Sequence, residues 1–436
     1  MNRSTCSRAA LAVLVPALAV AAARPARALD VEGALRQVAA ANPTLAARRA
    51  MADASSRRVA PAGAWESPML EAGVENVPVT GRFDTEPMTM KVLGVTQRVP
   101  VFGANRLAAD AARAGATAER AGVDMTRNDL FGMGLEAYGD AWVAAALRDQ
   151  AQAHVAVMER LVRSARARYE SGAGRLEDVL RSQAEQARTR ADVETYRAEE
   201  RSARARLDAL RGVTPGTAAD TLAPVHAAPV PDDPAPWLAA VDEAQPRLRE
   251  LSAEADRYRL AAQSARRSAW PDLELRGAYG WRETLADGQP QDNLFSATVG
   301  LTLPIFAGAR QGSEGAEMDA MARVRASERD AARLELASQV SAAHADAAAA
   351  QRMARVYADS VVTVLERAVD ASWAAYSAGT TDLWRVFESS HELYGEEVAL
   401  LRARQDLVRA QARMLSLTGR GDLLGIALPP PEGGSR

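Results

Sequence analysis

One uninterrupted stretch constrains the fold more than any other feature of this sequence. Residues 104–168 contain no proline and are rich in alanine, arginine and glutamate, which favours a single continuous helix. At about 1.5 Å per residue, such a helix is on the order of 100 Å long. No ordinary globular core has that length, so the helix needs packing partners along all of it.

The side chains of the long helices limit what those partners are. Residues 108–121 and 342–350 are dominated by alanine, which lets helix backbones approach closely but buries little apolar area per helix. Many helices must therefore share the packing. A plain coiled coil fits less well, because apolar residues are not sustained at heptad positions here.

The chain is internally duplicated. Four landmarks recur 203 to 207 residues later, and each half has the same order: helix, two strands, very long helix, tight turn, long helix. The landmarks are Asn42-Pro43 with Gln245-Pro246, Trp65 with Trp270, Val99-Pro100-Val101-Phe102 with Leu303-Pro304-Ile305-Phe306, and Tyr169-x-x-Gly172 with Tyr376-x-x-Gly379.

These landmarks divide the chain into segments. We predict a signal peptide at 1–28, a first structural repeat at 29–212, a Pro/Ala-rich linker at 213–236, a second repeat at 237–418 and an irregular tail at 419–436. Strands are expected near 67–78, 88–100, 271–283 and 293–304, and hairpin tips near 169–175 and 376–382. Residues 31–60, 104–168, 246–268 and 308–376 are each expected to form one helix.

The predicted strands alternate between two kinds of side chain. In the second half Leu273, Leu275, Tyr279 and Trp281 alternate with residues such as Glu274 and Arg276, which gives one apolar face and one small or polar face. In the first half the pattern is weaker. A lipid-facing barrel with a wet lumen requires this alternation. A soluble two-sheet module with one buried face would show the same pattern and stays open as an alternative.

Four strands cannot close a barrel alone, because open edges in lipid leave backbone groups unpaired. Closure therefore needs several chains, and three copies would supply twelve strands. Pro100 and Pro304 stand where strands would pass into long helices. The lumen-facing candidates are Glu71, Glu75, Glu274 and Arg276; ordinary solvated strand residues are equally consistent with them.

The amino terminus has the features of an export signal. Two arginines precede an apolar run at 9–23, and Ala26-Arg27-Ala28 is a small-x-small cleavage site. No later apolar stretch is long enough for a membrane helix. The only cysteine, Cys6, precedes the apolar run, so we expect no acyl anchor, no disulfide and no thiolate metal site.

The remaining composition argues against several kinds of function. The net charge is -3 without a concentrated basic face, so no nucleic-acid partner is expected. The four histidines are scattered, and His391-Glu392 fails as a zinc-protease motif because Gly395 occupies the second histidine position. With no phosphate loop or nucleophile elbow either, we predict a protein that is not an enzyme and has no cofactor and no metal site.

Taken in order, these motifs resemble the TolC outer membrane efflux family over essentially the whole chain after residue 28. The likeness is carried by the duplication, by the strand-to-helix junctions Gln97-Arg98-Val99-Pro100-Val101-Phe102-Gly103 and Leu301-Thr302-Leu303-Pro304-Ile305-Phe306, and by the two hairpins. The resemblance implies the predicted fold class, an α+β membrane protein: a trimeric 12-stranded β-barrel, four strands per chain, continued by a long all-helical periplasmic tunnel. The homotrimer would be a duct in the outer membrane, extended into the periplasm. Its implied partners are outer membrane lipid, a periplasmic adaptor and an inner membrane transporter of the RND type.

The resemblance also assigns residues to the periplasmic end. Asp178 and Tyr376 match a hydrogen-bonded pair that closes the tip, and Glu388 matches an acidic constriction residue. Arg385 stands where a constriction aspartate is expected, and Glu177 and Thr381 do not preserve a second tip contact. The hairpin turns are assigned to Gly172, Gly174 and Gly379.

The remaining hypotheses differ in the transported cargo or in the class of protein. The segments 75–78, 86–90 and 94–97 resemble the heavy-metal-efflux (CzcC-like) branch, although Met88 and Met90 at a strand start are typical hydrophobic contacts. A type I secretion duct has the same fold with a different cargo. A soluble periplasmic coiled-coil scaffold would share the export signal, the helices and the hairpins, but would not need strands with an apolar outer face.

Overall fold

The computed structural model describes residues 28–218, 220–243 and 245–430. The predicted signal peptide therefore lies outside the described residues except for Ala28. The first half contains α1 (Val31–Ala41), α2 (Pro43–Arg57), α3 (Val59–Gly63), β1 (Met69–Glu75), β2 (Met90–Val99), α4 (Ala104–Glu170) and α5 (Leu176–Leu210). The second half contains α6 (Ala235–Glu243), α7 (Pro246–Arg267), β3 (Leu273–Arg282), β4 (Leu294–Leu301), α8 (Ser313–Val356), α9 (Thr363–Ser377) and α10 (Leu383–Thr418).

The four strands form one antiparallel sheet in the order β1-β2-β3-β4. The two repeats meet at its centre, where β2 pairs with β3. This confirms the predicted four strands per chain. The outer strands β1 and β4 are the two edges of the sheet, each with a partner on one side only.

The helix expected at 31–60 is wrong as a single element, because the chain breaks at Asn42. The Asn42 side-chain oxygen accepts hydrogen bonds from the backbone N–H groups of Thr44 and Leu45 at 2.9 and 3.3 Å, which caps α2. Its amide nitrogen donates to the carbonyl of Leu210 at 2.9 Å. The cap thereby ties the start of the repeat to the end of α5.

The second copy of this landmark has the same function. The side-chain oxygen of Gln245 accepts from the N–H of Arg247 at 2.9 Å, and its amide nitrogen donates to the carbonyl of Leu417 near the end of α10 at 2.5 Å. In both halves, the Asn/Gln-Pro pair caps a helix and anchors the returning helix of the same repeat. The recurring dipeptide therefore has a structural reason.

The helix that follows β4 is continuous but not regular. Residues 308–377 are helical throughout, with π-helical turns at Gly308–Gly312 and Tyr357–Val362. The spacing between repeats grows from 204 residues at the strand–helix junction to 207 at the hairpin tip. The π-turns, with more residues per turn than an α-helix, take up part of this excess.

The helices pack in layers around α4, which contacts α5, α7 and α10. The largest buried cluster joins both repeats and includes Leu35, Phe131, Trp237, Met414 and Leu415. A second cluster lies near the hairpin tips around Met158, Leu161 and Val386. Alanines of α4 are buried between these clusters, as close helix packing requires.

The linker and the tail are held against this core. The side-chain amide of Gln351 bonds both the N–H and the carbonyl of Val230, at 2.6 and 3.2 Å, and Val230 itself is buried. In the tail, Gly421–Leu424 forms a 3-10 turn within a segment predicted to be irregular. Burial of Leu424 supplies the packing that orders this turn.

Candidate functional site: the two faces of the sheet and the hairpin tips

One face of the sheet is apolar and exposed. The register brings Leu275 opposite Val299 and Tyr279 opposite Phe295, and Leu93 of β2 pairs with Tyr279 from the other side. Phe295 and Val299 are 73% and 70% exposed in the single chain. Contiguous apolar surface of this kind is rare on proteins that live only in water. The face therefore requires an apolar environment.

Within the described residues, no helix combines the length and the apolarity needed to cross a bilayer.

The opposite face is polar, and the four lumen-facing candidates all lie on it. The Arg276 guanidinium lies 3.1 Å from a carboxylate oxygen of Glu71 and 3.8 Å from one of Glu75, and the Thr96 hydroxyl donates to Glu71 at 3.2 Å. Glu274 is in register with Arg98. Because these ion pairs are partly exposed, each contributes little stability. The cluster gives this face mixed charge, and the lumen-facing assignment stays a prediction.

Both junctions between sheet and helices carry aromatic residues. Phe102 and Trp270 lie 5.1 Å apart between ring centroids. Pro100 directly follows β2, and Pro304 lies just beyond β4, where neither proline interrupts a ladder of hydrogen bonds. Beyond each proline the chain turns into the long helix.

The two hairpin tips have the same backbone geometry. Gly172 and Gly379 both have φ +75°, a left-handed conformation that glycine adopts without steric cost. Their N–H groups donate to the carbonyls of Tyr169 and Tyr376, each at 3.0 Å. Gly174 is needed for a different reason: a Cβ there would lie 2.9 Å from Cβ of Arg168.

Tyr376 and Asp178 do not bond each other within the described part of one chain. The Tyr376 hydroxyl instead lies 2.7 Å from the hydroxyl of Ser164, and the Arg168 guanidinium stands over its ring at 5.4 Å. These contacts hold α9 against α4. The pairing of Asp178 with Tyr376 stays a prediction.

Arg385 and Glu388 form an ion pair on α10. Their nearest side-chain atoms are 3.0 Å apart, and both side chains are exposed. Asp382 caps the same helix by accepting from the N–H of Arg385 at 3.1 Å. The arginine thus lies beside the acidic residue that the resemblance places at the constriction, and part of the negative charge there is compensated.

Sequence reasoning missed a polar cluster above the tip. His154 on α4 stacks on Tyr394 of α10, with centroids 4.3 Å apart and rings nearly parallel. A second histidine, His391 of α10, has its Nδ1 atom 3.2 Å from a carboxylate oxygen of Glu185 on α5. The Tyr394 hydroxyl donates to the carboxylate of Asp192 at 3.4 Å. The cluster joins three helices. No local signal reveals it, because its members lie far apart in the sequence.

Burial sets the charge state of this cluster. Desolvation, together with the nearby His391, lowers the pKa of His154 to about 4. Desolvation also raises the pKa of Asp192 and of Tyr394. Within the described residues, the Nε2 atom of His154 is buried without a hydrogen-bond partner. The site holds His154 neutral.

Acid is therefore expected to weaken the protein through His154. The unfolded chain binds a proton there as the pH falls below 6.5, and the folded chain does so only near pH 4, so the loss of stability develops between these values and then levels off. Its size is about 3 kcal/mol per chain at most. Urea unfolding of the detergent-solubilised protein at pH 7.5 and pH 4.5 measures it. His154→Phe keeps the ring stack but has no group that titrates there, so its unfolding free energy should fall less between pH 7.5 and pH 4.5 than that of the wild type. An equal fall in both proteins would show that His154 is not the cause.

Comparison with known protein families gives a match over most of the chain. The family model described as "Outer membrane efflux protein" matches residues 34–213 and 237–420. Among curated proteins, the chain is 25% identical over 309 residues to the outer membrane efflux protein BepC of Brucella suis biovar 1 (strain 1330). The match covers 69% of this chain and only 65% of BepC.

Solved structures share the fold. The outer-membrane channel OprN aligns with a TM-score of 0.72 at 19% identity, covering 89% of this chain and 90% of OprN. CusC, whose structures concern transmembrane channel formation, aligns with a TM-score of 0.72 at 14% identity, covering 91% of this chain and 92% of CusC. At these identities the likeness establishes the architecture and leaves the cargo open.

Proposed function

This chain belongs to the outer membrane efflux protein family, and we propose from that membership that it is the outer membrane duct of a tripartite efflux system. Membership confirms the predicted resemblance and the outer membrane location. It also confirms that the protein is not an enzyme, because efflux is transport. Substrates would arrive from an inner membrane pump through a periplasmic adaptor, and the pump would supply the energy.

The observation that carries the proposal is a four-stranded sheet with one exposed apolar face and two open edges. In lipid, the edge strands β1 and β4 must find partners, since unpaired backbone groups cost several kcal/mol each there. Pairing β4 of one chain with β1 of the next satisfies both edges. Three chains then give a closed barrel of twelve strands with the polar face, including Arg276, around the lumen.

The helices supply the rest of the duct. At about 1.5 Å per residue, the 67 residues of α4 extend on the order of 100 Å from the sheet. A helix of that length reaches far into the periplasm, where we propose that an adaptor and an inner membrane transporter of the RND type engage it. Passive conduction requires only a wide, wet lumen with weak binding.

For the cargo we propose heavy-metal cations, following the resemblance of segments 75–78, 86–90 and 94–97. The methionines do not form a metal site here: Met88 is exposed in the loop, and Met90 packs over Gly280. Within the described residues, no group of three or more His, Cys, Asp or Glu side chains is arranged to hold a metal ion. A duct that releases its cargo needs no such site.

Deleting the gene tests both the proposed duct and the proposed cargo. Growth of the deletion strain is measured with zinc, cobalt and cadmium salts and with hydrophobic antibiotics, with and without the gene on a plasmid. Sensitivity to the metals, reversed by the plasmid, is the expected result. Sensitivity to antibiotics alone would overturn the cargo and keep the duct. Unchanged growth under every condition would overturn the duct.

The closed tip is proposed to depend on Asp178 and Tyr376 of neighbouring subunits. The variant Asp178→Ala/Tyr376→Phe removes that pair three times per trimer. At about 1 kcal/mol per hydrogen bond, the open-to-closed ratio should rise on the order of a hundredfold. Single-channel conductance in planar bilayers, together with antibiotic leakage into cells, measures the opening.

Ser164→Ala is the matched control for this gate. It removes the contact of the Tyr376 hydroxyl within the chain and leaves the hydroxyl free to bond a neighbouring subunit. We expect its conductance to stay at the wild-type level. If Ser164→Ala opens the channel as far as the double variant, the tip is held by contacts within one chain. Unchanged conductance in both variants would remove these residues from the gate.

A further inference from the structure

The end of the sheet nearest the helices carries a belt of exposed apolar side chains. We define the junction belt as Trp65, Val101, Phe102, Trp270, Leu303, Ile305 and Phe306, all of them exposed. Ile305 and Phe306 are 79% and 76% exposed, more than most residues of the sheet itself. The belt is continuous with the apolar face, since Leu303 extends the alternation of β4 beyond Leu301. It therefore lies where the membrane-embedded surface ends and the periplasmic helices begin.

Each half of the belt is followed by an arginine at the same spacing. The sequence Pro100-Val101-Phe102 precedes Arg106 by four residues, and Pro304-Ile305-Phe306 precedes Arg310 by four residues. Both arginines are exposed. The duplicated chain has thus kept a proline, two apolar residues and an arginine at both passages from sheet to helix.

These two arginines differ from their neighbours in having no acidic partner. Arg98, at the end of β2, lies 2.9 Å from Asp272, and Arg266, at the end of α7, pairs with Asp319. Across the part of the chain that the structure describes, no ion pair involves Arg106 or Arg310. The sequence explains this locally, because residues 99–109 and 301–313 contain no aspartate or glutamate.

We propose that the junction belt, with Arg106 and Arg310, binds the phosphate groups of anionic phospholipids in the periplasmic leaflet of the outer membrane. The belt residues enter the acyl region, and the long arginine side chains extend along it to place their charges at the headgroups. A guanidinium is a good partner for a phosphate because it can donate two parallel hydrogen bonds. In a trimer, six such pairs of phenylalanine and arginine would surround the barrel.

Two residues of the belt report on this binding directly. Trp270 contacts Phe102, and Trp65 belongs to the same belt, so lipid bound there lies close to both indoles. Trp281 lies at the other end of β3 and is removed by Trp281→Phe. The full-length protein in this background is reconstituted into phosphatidylcholine vesicles. Quenching of its tryptophan fluorescence by brominated phosphatidylglycerol is then compared with quenching by brominated phosphatidylcholine.

The anionic lipid should bind the belt about fivefold more strongly than phosphatidylcholine does. This ratio corresponds to roughly 1 kcal/mol, the contribution of one basic residue at an anionic membrane surface. Arg106→Gln/Arg310→Gln should reduce the preference to about one, while quenching by phosphatidylcholine stays unchanged and shows that the protein is still inserted. Arg106→Lys/Arg310→Lys should retain most of it. Arg323→Gln, an exposed position farther along α8, should retain all of it.

Two results would overturn the proposal. One is equal quenching by both lipids in the Trp281→Phe protein, or a preference that survives in the double glutamine variant. The other is loss of the preference when inorganic phosphate is added at constant ionic strength, which would assign the arginines to a free anion. The experiment uses no pump, adaptor or cargo, so its outcome is independent of the proposed efflux function.

Discussion

Val299→Arg is expected to prevent the protein from assembling in the outer membrane. Val299 lies within β4, on the exposed apolar face, opposite Leu275. A charged side chain on the lipid face of a barrel costs about 2–4 kcal/mol near mid-bilayer, and three copies would cost roughly 6–12 kcal/mol per trimer. The measurement is the amount of heat-modifiable oligomer in the outer membrane fraction on a denaturing gel.

Ser296→Arg is the matched control for this substitution. Ser296 lies on the same strand but on the polar face, opposite Ala278, where an arginine can stay hydrated. We expect wild-type amounts of oligomer from this variant. Normal yield of Val299→Arg would show that the apolar face does not contact lipid. Equal loss of oligomer in both variants would show that an arginine anywhere in β4 disturbs assembly, whichever face of the sheet carries it.

Gly132→Val is expected to separate two of the long helices and to destabilise the fold by about 3 kcal/mol or more. A Cβ at Gly132 would lie 2.7 Å from Cβ of Ser416 and 2.8 Å from the carbonyl oxygen of Ala412. Neither atom can move away by side-chain rotation, because the carbonyl oxygen belongs to the main chain and the Cβ atom is bonded directly to it. Relief therefore requires α4 and α10 to move apart, with loss of packing around Phe131 and Met414.

Gly395→Val provides the comparison, because it makes the same change at an open position. A Cβ at Gly395 meets nothing within 4 Å in the chain, and the residue lies inside α10. Valine is better tolerated than glycine in a helix, so stability should change by less than about 1 kcal/mol. Thermal unfolding of the detergent-solubilised proteins measures both. A melting temperature for Gly132→Val equal to that of Gly395→Val would show that the close approach is not required.

Much of the architecture could be predicted because its signals are local. The length of α4 follows from the absence of proline over a long run, and the two faces of each strand follow from alternation with a period of two. Four residues on the polar face, including Arg276 and Glu71, were identified in this way. Their ion pairs were not, since pairing depends on the register between β1, β2 and β3.

The errors have an equally local cause. Residues 31–60 are rich in helix-forming side chains, and the break at Asn42 depends on a side chain that serves as a cap instead of extending the helix. The π-turns in the second long helix were missed because they leave the helical periodicity almost unchanged. The ordered part of the tail was missed because a short turn is stabilised by its contacts, here the burial of Leu424.

The sequence by itself determined the long helices, the two-faced strands and the glycine turns, because each depends on residues that are close together in the chain. It also determined the duplication, because the same landmarks recur in the same order about 200 residues later. Only the tertiary structure decided which strands of the two repeats pair and that α4 and α10 touch at Gly132. It alone brought His154, His391 and Glu185 together from three helices. Contacts between segments hundreds of residues apart leave no periodic trace in the chain, because packing in three dimensions, and not the neighbouring sequence, selects them.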